Sequence, residues 1–261
     1  MVREYVERGE SIYAVDRHVL ESLDPDLVIT QDLCHVCAAT PEELGAALAQ
    51  MEKQPQVLSL DPLDLGDVWR DILWIGEVTG RRERAQRLVT RIGERLGQLE
   101  QQLACQAHKP KAMVLEWLQP FYVGGHWVPE MVLRAGGIDV LGRAKMPSRR
   151  VELQEIVDAL PEVIFIAPCG YNAEQARDEY LSLTFPEEWY QIPAVRDIRI
   201  FALDANGHVS RPAGRLVSGT ESMAKAMHPE IEVPVKAMLG MLSVPANGAR
   251  NRAAAAGAPS F

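Results

Sequence analysis

One pattern occurs twice in this chain: a helical segment, a proline, an acidic residue and a short run of branched apolar residues. In the first copy, residues 10–23 are predicted to be a helix and residues 25–30 (PDLVIT) a strand. In the second, residues 154–160 and 161–166 (PEVIFI) take the same roles. A short apolar run bounded by turn residues is typical of a strand that is buried on both faces. The repeat therefore predicts two related α/β lobes.

Three more segments have the composition of buried strands: residues 56–60, 112–116 and 199–203. Strands that alternate with helices predict parallel sheets, so the expected fold class is α/β. Open sheets of this class bind ligands beyond the carboxyl ends of their strands. We therefore expect the loops that follow the strands to form the binding site, namely residues 31–37, 117–127 and 168–171.

Between the lobes, residues 65–106 carry apolar side chains at three- and four-residue steps. This spacing predicts one long amphipathic helix, with Gly76 and Gly80 as the positions where it can bend. At 1.5 Å per residue such a helix spans roughly 50–60 Å, which suits a rigid backbone between two lobes with a ligand cleft between them. The predicted division is an N-terminal lobe over 1–64, the backbone helix over 65–107, a C-terminal lobe over 108–231 and a disordered Ala/Gly/Pro tail over 232–261.

Composition excludes several functional classes. The chain has 36 acidic and 27 basic residues, a net charge of −9, and lacks the basic stripe that nucleic-acid binding needs. No run approaches the ~18 consecutive apolar residues of a membrane span, and the first residues are charged where a secretory signal would be apolar. The common nucleophile, Walker, dinucleotide and zinc-protease motifs are missing, so neither catalysis nor a catalytic cofactor is expected.

The densest group of chemically distinctive residues is segment 116–130, EWLQPFYVGGHWVPE. Its aromatic residues lie in a loop broken by proline and glycine, where they can form a flat wall for a planar ligand or plug the loop from below; the ligand wall is favoured. His126 has no second metal ligand near it, so a polar contact is favoured over a metal site. The candidate wall and contact residues are Trp117, Phe121, Tyr122, His126 and Trp127.

Two further groups have plainer explanations. Cys34 and Cys37 lack the other ligands that structural zinc requires, so inert buried thiols are favoured, with a redox pair as the alternative. Asp61, Asp64 and Asp67 come directly before the predicted backbone helix, where carboxylates stabilise free backbone N–H groups. We expect these aspartates to cap that helix and not to bind a cation.

The order of these features resembles the class III substrate-binding proteins of ABC importers, specifically the cobalamin-binding, BtuF-like branch. The resemblance covers about residues 5–230. It rests on segments 23–38 (LDPDLVITQDLCHVCA), 116–118 (EWL), 125–130 (GHWVPE), 135–137 (AGG), 168–171 (PCGY) and 210–216 (SRPAGRL), together with the predicted backbone helix.

The resemblance implies the helical-backbone fold of this class and a monomer that grips cobalamin, or a related corrinoid, between its lobes. Tyr13 and the loop at 31–34 would face the aromatic wall, and Arg211 matches a family arginine that could be ligand-directed or structural. The family is periplasmic and docks on an ABC permease through one carboxylate per lobe, seven residues before the strand-leading proline. Here those positions hold His18 and Gln154, with Asp16, Glu21 and Glu155 nearby.

Two other departures from the family pattern lead to alternatives. Family members begin with a strand and a helix that have no counterpart here, so the first lobe is expected to be incomplete, and no signal peptide is recognised. The alternative ligands are a ferric siderophore or heme. Alternative roles are an intracellular corrinoid-handling protein, a redox protein that uses Cys34 and Cys37, and a degenerate fragment without a ligand.

Overall fold

The computed structural model describes residues 14–31, 41–234 and 238–239. The chain divides into two compact units, Met1–Pro62 and Leu63–Phe261. Both contain parallel strands and helices, which confirms the predicted α/β class. Tyr13, Cys34, Cys37 and most of the predicted tail lie outside the described residues, so the expectations for them stay predictions.

The first unit contains two helices and two strands within the described residues: α1 (Arg17–Leu23), β1 (Leu27–Gln31), α2 (Pro41–Leu48) and β2 (Gln56–Leu60). The strands pair in parallel, with Leu27 opposite Gln56 and Gln31 opposite Leu60. Both strands lie where the sequence places them. Their small core centres on Leu44, Leu48 and Met51.

The second unit begins with two helices and continues into a mixed sheet. The elements are α3 (Leu65–Val78), α4 (Arg82–Leu103), β3 (Lys111–Leu118), β4 (Phe121–Val123), α5 (Val128–Arg134), β5 (Ile138–Asp139), β6 (Arg149–Arg150), α6 (Leu153–Ala159), β7 (Val163–Ile166), α7 (Ala173–Ser182), a 3-10 turn (Glu187–Gln191), α8 (Pro193–Arg196), β8 (Ile200–Leu203), α9 (Ala205–His208), α10 (Leu216–Met227) and β9 (Met238–Leu239).

The centre of this sheet is the parallel group β3, β7 and β8, in the order β6-β4-β3-β7-β8-β9, with β5 beside the start of β3. Every residue of β7 and β8 is buried, as expected for strands covered on both faces. Ala112 lies opposite Val163, and Ile164 lies opposite Ile200. The carboxyl ends of the three strands consequently meet at one edge of the sheet.

The predicted helix over 65–106 is not continuous, and its continuity is the part of the prediction that is wrong; the break lies at Gly80, one of the two predicted bend positions. The segment is helical, but α3 ends at Val78 and α4 begins at Arg82. Gly80 has a φ of +65°, Arg81 N–H donates to Gly76 O at 2.6 Å and Gly80 N–H donates to Glu77 O at 3.1 Å. These two bonds and the left-handed glycine form a Schellman motif, which ends a helix by satisfying its last carbonyls. The apolar spacing continues across the break because both helices pack against the same hydrophobic cluster.

The repeated sequence pattern has a repeated local structure. Asp24 follows α1 with φ 39°, and Leu160 follows α6 with φ 50°, so each helix ends in a left-handed residue directly before the proline. Proline cannot continue a helix, and the preceding residue is excluded from the helical region. The shared helix end explains why the two copies place their strands at the same distance from their helices.

We expect Leu160→Gly to stabilise the chain by about 1 kcal/mol, because leucine is strained in the left-handed region that glycine adopts freely. The side chain is 49% exposed, so little burial is lost. Urea unfolding of the variant and the native chain measures the difference. Asp24→Gly is the control and should gain less, because aspartate tolerates this conformation. A loss of stability in Leu160→Gly would contradict the assignment.

Candidate functional site

Three segments meet at the carboxyl ends of β3, β7 and β8: residues 117–127, 167–172 and 204–215. The first of them was predicted to be a loop, but it includes the end of β3 and the short strand β4, which pair as a hairpin. The backbones of the three segments are directly joined. Cys169 N–H donates to Glu116 O at 3.3 Å, and Asn206 N–H donates to Tyr171 O at 3.0 Å. Open α/β sheets commonly bind ligands beyond the carboxyl ends of their strands. We call these three segments the carboxyl edge.

The side chains of Trp117, Tyr122 and Tyr171 form a partly exposed group on this edge, which we call the aromatic platform. The antiparallel register of β3 and β4 puts Trp117 opposite Tyr122, and directly opposed residues point to the same face of a sheet. Tyr171 arrives from the next loop, with its ring 6.1 Å from that of Trp117 at 69°. Edge-to-face packing of this kind holds the rings in defined orientations, and all three residues stay partly exposed.

Phe121 belongs to the opposite face of the same hairpin and is not part of the platform. It pairs with Leu118, one position out of phase with Trp117 and Tyr122. Its ring stacks on Trp189 at 5.5 Å and 2°, and on Phe185 at 6.5 Å and 14°. We therefore assign Phe121 to the aromatic core, because strand alternation turns it away from the exposed face.

Trp127 is also a core residue in this structure. Its side chain is 5% exposed, and its indole N–H donates to Val209 O at 2.8 Å. A buried indole needs such an acceptor, and this bond ties the first loop of the carboxyl edge to the third. The structural role that the geometry supports for Trp127 is to hold the two loops together.

His126 lies between these two environments and is partly exposed. Its backbone has φ 48°, and its ring lies 5.8 Å from that of Trp127. Within the described residues no three His, Cys, Asp or Glu side chains are close enough together to hold a metal ion. A polar contact to a ligand stays the prediction for His126.

Polar groups surround the platform on the remaining loops. The hydroxyl of Ser210 donates to the thiol of Cys169 at 3.6 Å, and Cys169 is exposed. Arg211 follows Ser210 and is exposed. These side chains are able to form hydrogen bonds to the periphery of a flat ligand that rests on the rings.

Tyr171 was not among the ligand-binding residues predicted from the sequence. The relevant signal was present, because Tyr171 follows a buried strand in a proline- and glycine-containing turn, PCGY. The turn predicted a loop at the site, but the contact with Trp117 depends on β3 and β7 being neighbours in the sheet.

A concave region lies at the other end of the sheet, away from the carboxyl edge. Its volume is about 490 Å³, and it lies between the end of α4 and the start of β3. Glu100, Leu103, Lys109 and Arg134 are among the residues that line it. The guanidinium of Arg134 is bound to Glu100 and Glu130, each at 2.8 Å. Since the amino ends of the strands point here and the charges neutralise one another, we do not assign the ligand to this region.

Asp139 lies near residues 117–127, which we call the aromatic loop, and carries a buried carboxylate oxygen. Its Oδ1 accepts from the backbone N–H groups of Leu141 at 3.1 Å and Gly142 at 2.7 Å. Its Oδ2 is buried and has no partner among the described residues. Burial therefore raises the pKa of Asp139 above its usual range.

Asp139→Asn is expected to increase the free energy of unfolding near pH 7. A carboxyl group whose pKa is raised in the folded state contributes stability fully below its unfolded pKa of about 3.9, and this contribution is lost as pH rises through the folded pKa. Asparagine keeps the Oδ1 acceptor and stays neutral, so the gain should grow between about pH 4 and pH 7. Urea unfolding across this range measures it, with the exposed Asp158→Asn as control. A gain that is independent of pH would contradict the burial argument.

None of the helices in the described ranges is long and apolar enough to cross a membrane.

Comparison with known proteins gives one family and several related folds. The model of the family described as "Periplasmic binding protein" matches residues 19–206. No curated protein matches the chain. A periplasmic heme-binding protein from Pseudomonas aeruginosa is 17% identical and has a TM-score of 0.69, with 89% of this chain and 82% of that chain covered.

Two other solved structures have a similar fold. The periplasmic heme-binding protein RhuT from Roseiflexus sp. RS-1 is 20% identical with a TM-score of 0.66, covering 84% of this chain and 81% of that chain. The periplasmic vitamin B12 binding protein BtuF of Vibrio cholerae is 19% identical with a TM-score of 0.63, covering 82% and 78%. At these identities the similarity shows the fold and does not identify a ligand.

Proposed function

Because this chain belongs to the periplasmic binding protein family, we propose that it is a non-catalytic binding protein for a corrinoid, cobalamin first, which it presents to an ABC importer. Proteins of this family bind small ligands and dock on a permease. The expectation from sequence that the chain is a substrate-binding protein agrees with the family match. The identity of the ligand is our proposal.

The observation that carries the proposal is the aromatic platform. Trp117, Tyr122 and Tyr171 expose ring surface together at the carboxyl edge, and a large flat macrocycle needs broad apolar contact of this kind. The hydroxyl, thiol and guanidinium groups of Ser210, Cys169 and Arg211 supply polar contacts around it. A corrin ring with amide arms matches an apolar surface with a polar border.

Heme and ferric siderophores are the second candidates. Two of the similar structures are of periplasmic heme-binding proteins, and a porphyrin would use the same ring surface. The exposed guanidinium of Arg211 would favour a ligand with carboxylates, because arginine binds carboxylates through paired donors. A ferric siderophore would place more weight on charged groups and less on the platform.

Docking on the importer is the other part of the proposal. The predicted docking positions hold His18 and Gln154 in place of carboxylates. Among the alternatives, Asp16 caps α1 through Val19 N–H at 3.1 Å, and Glu155 closes a capping box on α6 and pairs with Arg149 at 2.9 Å. We propose that this chain docks through Glu21 and other carboxylates that its own fold leaves unused.

A spectroscopic titration tests the proposal. The purified chain is titrated with cyanocobalamin and, in parallel, with heme and a ferric siderophore, following ligand absorbance and tryptophan quenching. Saturable one-to-one binding of cyanocobalamin that is tighter than that of heme is the expected result. Tighter heme binding would replace the corrinoid with a porphyrin, and binding of none of the three would overturn the proposal.

The redox alternative needs a separate measurement, since Cys34 and Cys37 lie outside the described residues. Thiol titration should give the same four free thiols with and without reductant if the protein only binds a ligand. A low-pKa, fast-reacting cysteine that disappears without reductant would favour a redox role instead.

A further inference from the structure

A four-residue segment, 145–148, crosses the aromatic loop and is bonded to it in both directions. His126 N–H donates to Met146 O at 2.7 Å, and Lys145 N–H donates to His126 O at 3.1 Å. Both residues adopt positive φ, 48° for His126 and 63° for Lys145, which side chains with a Cβ rarely do. The reciprocal bonds keep two strained residues in place, so their conformations depend on each other. We call residues 145–148 the strap.

The strap and the aromatic loop are packed without free space. A Cβ on Gly125 would lie 2.3 Å from Met146 O and 2.5 Å from Ser148 N, both backbone atoms. The hydroxyl of Ser148 donates to the carboxylate of Glu116, the residue before Trp117 in β3. A shift of the strap must therefore shift the loop that carries His126, and the reverse holds as well.

The side chain of Lys145, the first residue of the strap, reaches the start of α3. The ammonium group of Lys145 lies 2.8 Å from Oδ2 of Asp64, and this hydrogen bond lowers the pKa of the carboxyl group. Oδ1 of Asp64 caps α3 by accepting from Asp67 N–H at 2.7 Å. A single carboxylate thus joins the strap to the start of the helix.

A second contact leads to the same turn. Glu130, in the first turn of α5 directly after the aromatic loop, accepts from Leu65 N–H at 2.9 Å. This turn follows the boundary between the two compact units at Pro62 and Leu63. The first residues of the second unit are therefore bonded both to Lys145 in the strap and to Glu130, which follows the aromatic loop.

We propose that Lys145 is a positioning residue that couples the aromatic loop to the first turn of α3. Ordering of the loop stabilises the pair with Asp64 and hence the turn, and loss of that pair loosens the loop. Such coupling is reciprocal, so a ligand on the platform should protect the turn to the same degree as an intact turn improves ligand affinity. The statement about ligand rests on the proposed function, whereas the coupling between loop and turn does not.

The test first uses the ligand-free chain and amide hydrogen exchange. Asp64→Asn keeps the helix cap, since asparagine caps as well as aspartate, and removes the charge that Lys145 contacts. Exchange of the His126 amide should rise about two- to fivefold, the range that an ion pair with an exposed lysine can supply. Gly125→Ala or the milder Ser148→Ala perturbs the strap and should raise exchange of the Asp67 amide by a similar factor. The amides of β7 report whether each variant keeps its fold.

Matched variants separate coupling from a general loss of charge. Arg70→Met removes another exposed cation from the same helix turn, one that pairs with Asp67 at 2.7 Å, and should change exchange at His126 by less than twofold. Lys145→Met should reproduce the effect of Asp64→Asn, and Lys145→Arg should restore the native value. The proposal is overturned if Asp64→Asn and Lys145→Met leave His126 unchanged, or if Arg70→Met acts equally.

The second arm adds cyanocobalamin and, separately, heme. Whichever binds should slow exchange of the Leu65 and Asp67 amides in the native chain, and its dissociation should be about two- to fivefold faster in Lys145→Met. Ligand binding without protection at these amides would overturn the coupling to ligand. If neither compound binds, the corrinoid and heme proposals fail, but the exchange results in the free chain still decide the coupling.

Discussion

Trp117→Ala is expected to weaken ligand binding about 30-fold, which corresponds to about 2 kcal/mol at 1.4 kcal/mol per tenfold. Large aromatic residues at the centre of an interface contribute most of its binding energy. Trp117 is the central member of the aromatic platform, because it lies opposite Tyr122 across the hairpin and its ring packs edge-to-face with that of Tyr171. Its partial exposure means that the fold should tolerate the loss. Titration with the ligand that binds the native chain measures the change in affinity.

Three variants make this result interpretable. Tyr171→Ala should also weaken binding, and the double variant should lose less than the sum, because each ring orients the other. Trp74→Ala is the matched control, since Trp74 is 51% exposed on α3, outside the carboxyl edge. Phe121→Ala should lower stability rather than affinity, because its ring stacks on Trp189 in the core. Unchanged affinity in Trp117→Ala and Tyr171→Ala would show that the ligand binds elsewhere.

Arg95→Met is expected to lower the free energy of unfolding by about 2–4 kcal/mol, since the loss of one partner leaves a buried carboxylate unpaired. Glu221 is 4% exposed on α10, and Arg95 on α4 donates to it through Nε at 2.9 Å and to Ser218 at 3.0 Å. The arginine side chain is 39% exposed, so solvent screening places the effect below that of a fully buried pair. For a chain of this size the expected fall in Tm is roughly 5–15 °C.

A double variant distinguishes the contribution of the Arg95–Glu221 ion pair from the effect of removing either residue alone. The double variant Arg95→Met/Glu221→Met should recover most of the lost stability, because it leaves no unpaired charge between α4 and α10. Arg87→Met removes a solvent-exposed i,i+4 partner of Glu83 from the same helix and should cost at most about 0.5 kcal/mol. Equal losses for Arg95→Met and Arg87→Met would show that the contact with Glu221 contributes no more than a surface ion pair.

Local patterns predicted the strands accurately because buried parallel strands must be apolar along their whole length. Residues 163–166 and 200–203 were recognisable as strands for this reason, and the structure places fully buried strands there. The helix capped by Asp64 and the helix beginning at Val128 were likewise predictable, because caps and prolines act on their immediate neighbours. The sequence indicated Gly80 as a position where the helix can bend but not that the helix ends there, since the apolar spacing of α3 and α4 continues across it.

The candidate site was predictable as a set of loops but not as a set of side chains. The aromatic loop and the PCGY turn both follow strands, so their meeting at one edge followed from the α/β class. Which rings face outward depends on the register of β3 and β4, where a bulge between Leu115 and Trp117 sets the alternation. Trp117 and Tyr122 lie on the exposed face, whereas Phe121 does not.

The sequence alone thus determined the α/β class, the positions of the parallel strands β1, β2, β3, β7 and β8, the cap of α3 and the location of the aromatic loop, since these depend on interactions over a few residues. Tertiary structure decided the rest. It buried Trp127 against Val209, joined Tyr171 to Trp117 and linked Lys145 to Asp64, pairs that are separated by 82, 54 and 81 positions in the chain. Contacts at such separations arise from the packing of whole elements, and no local pattern of residues records which of them will meet.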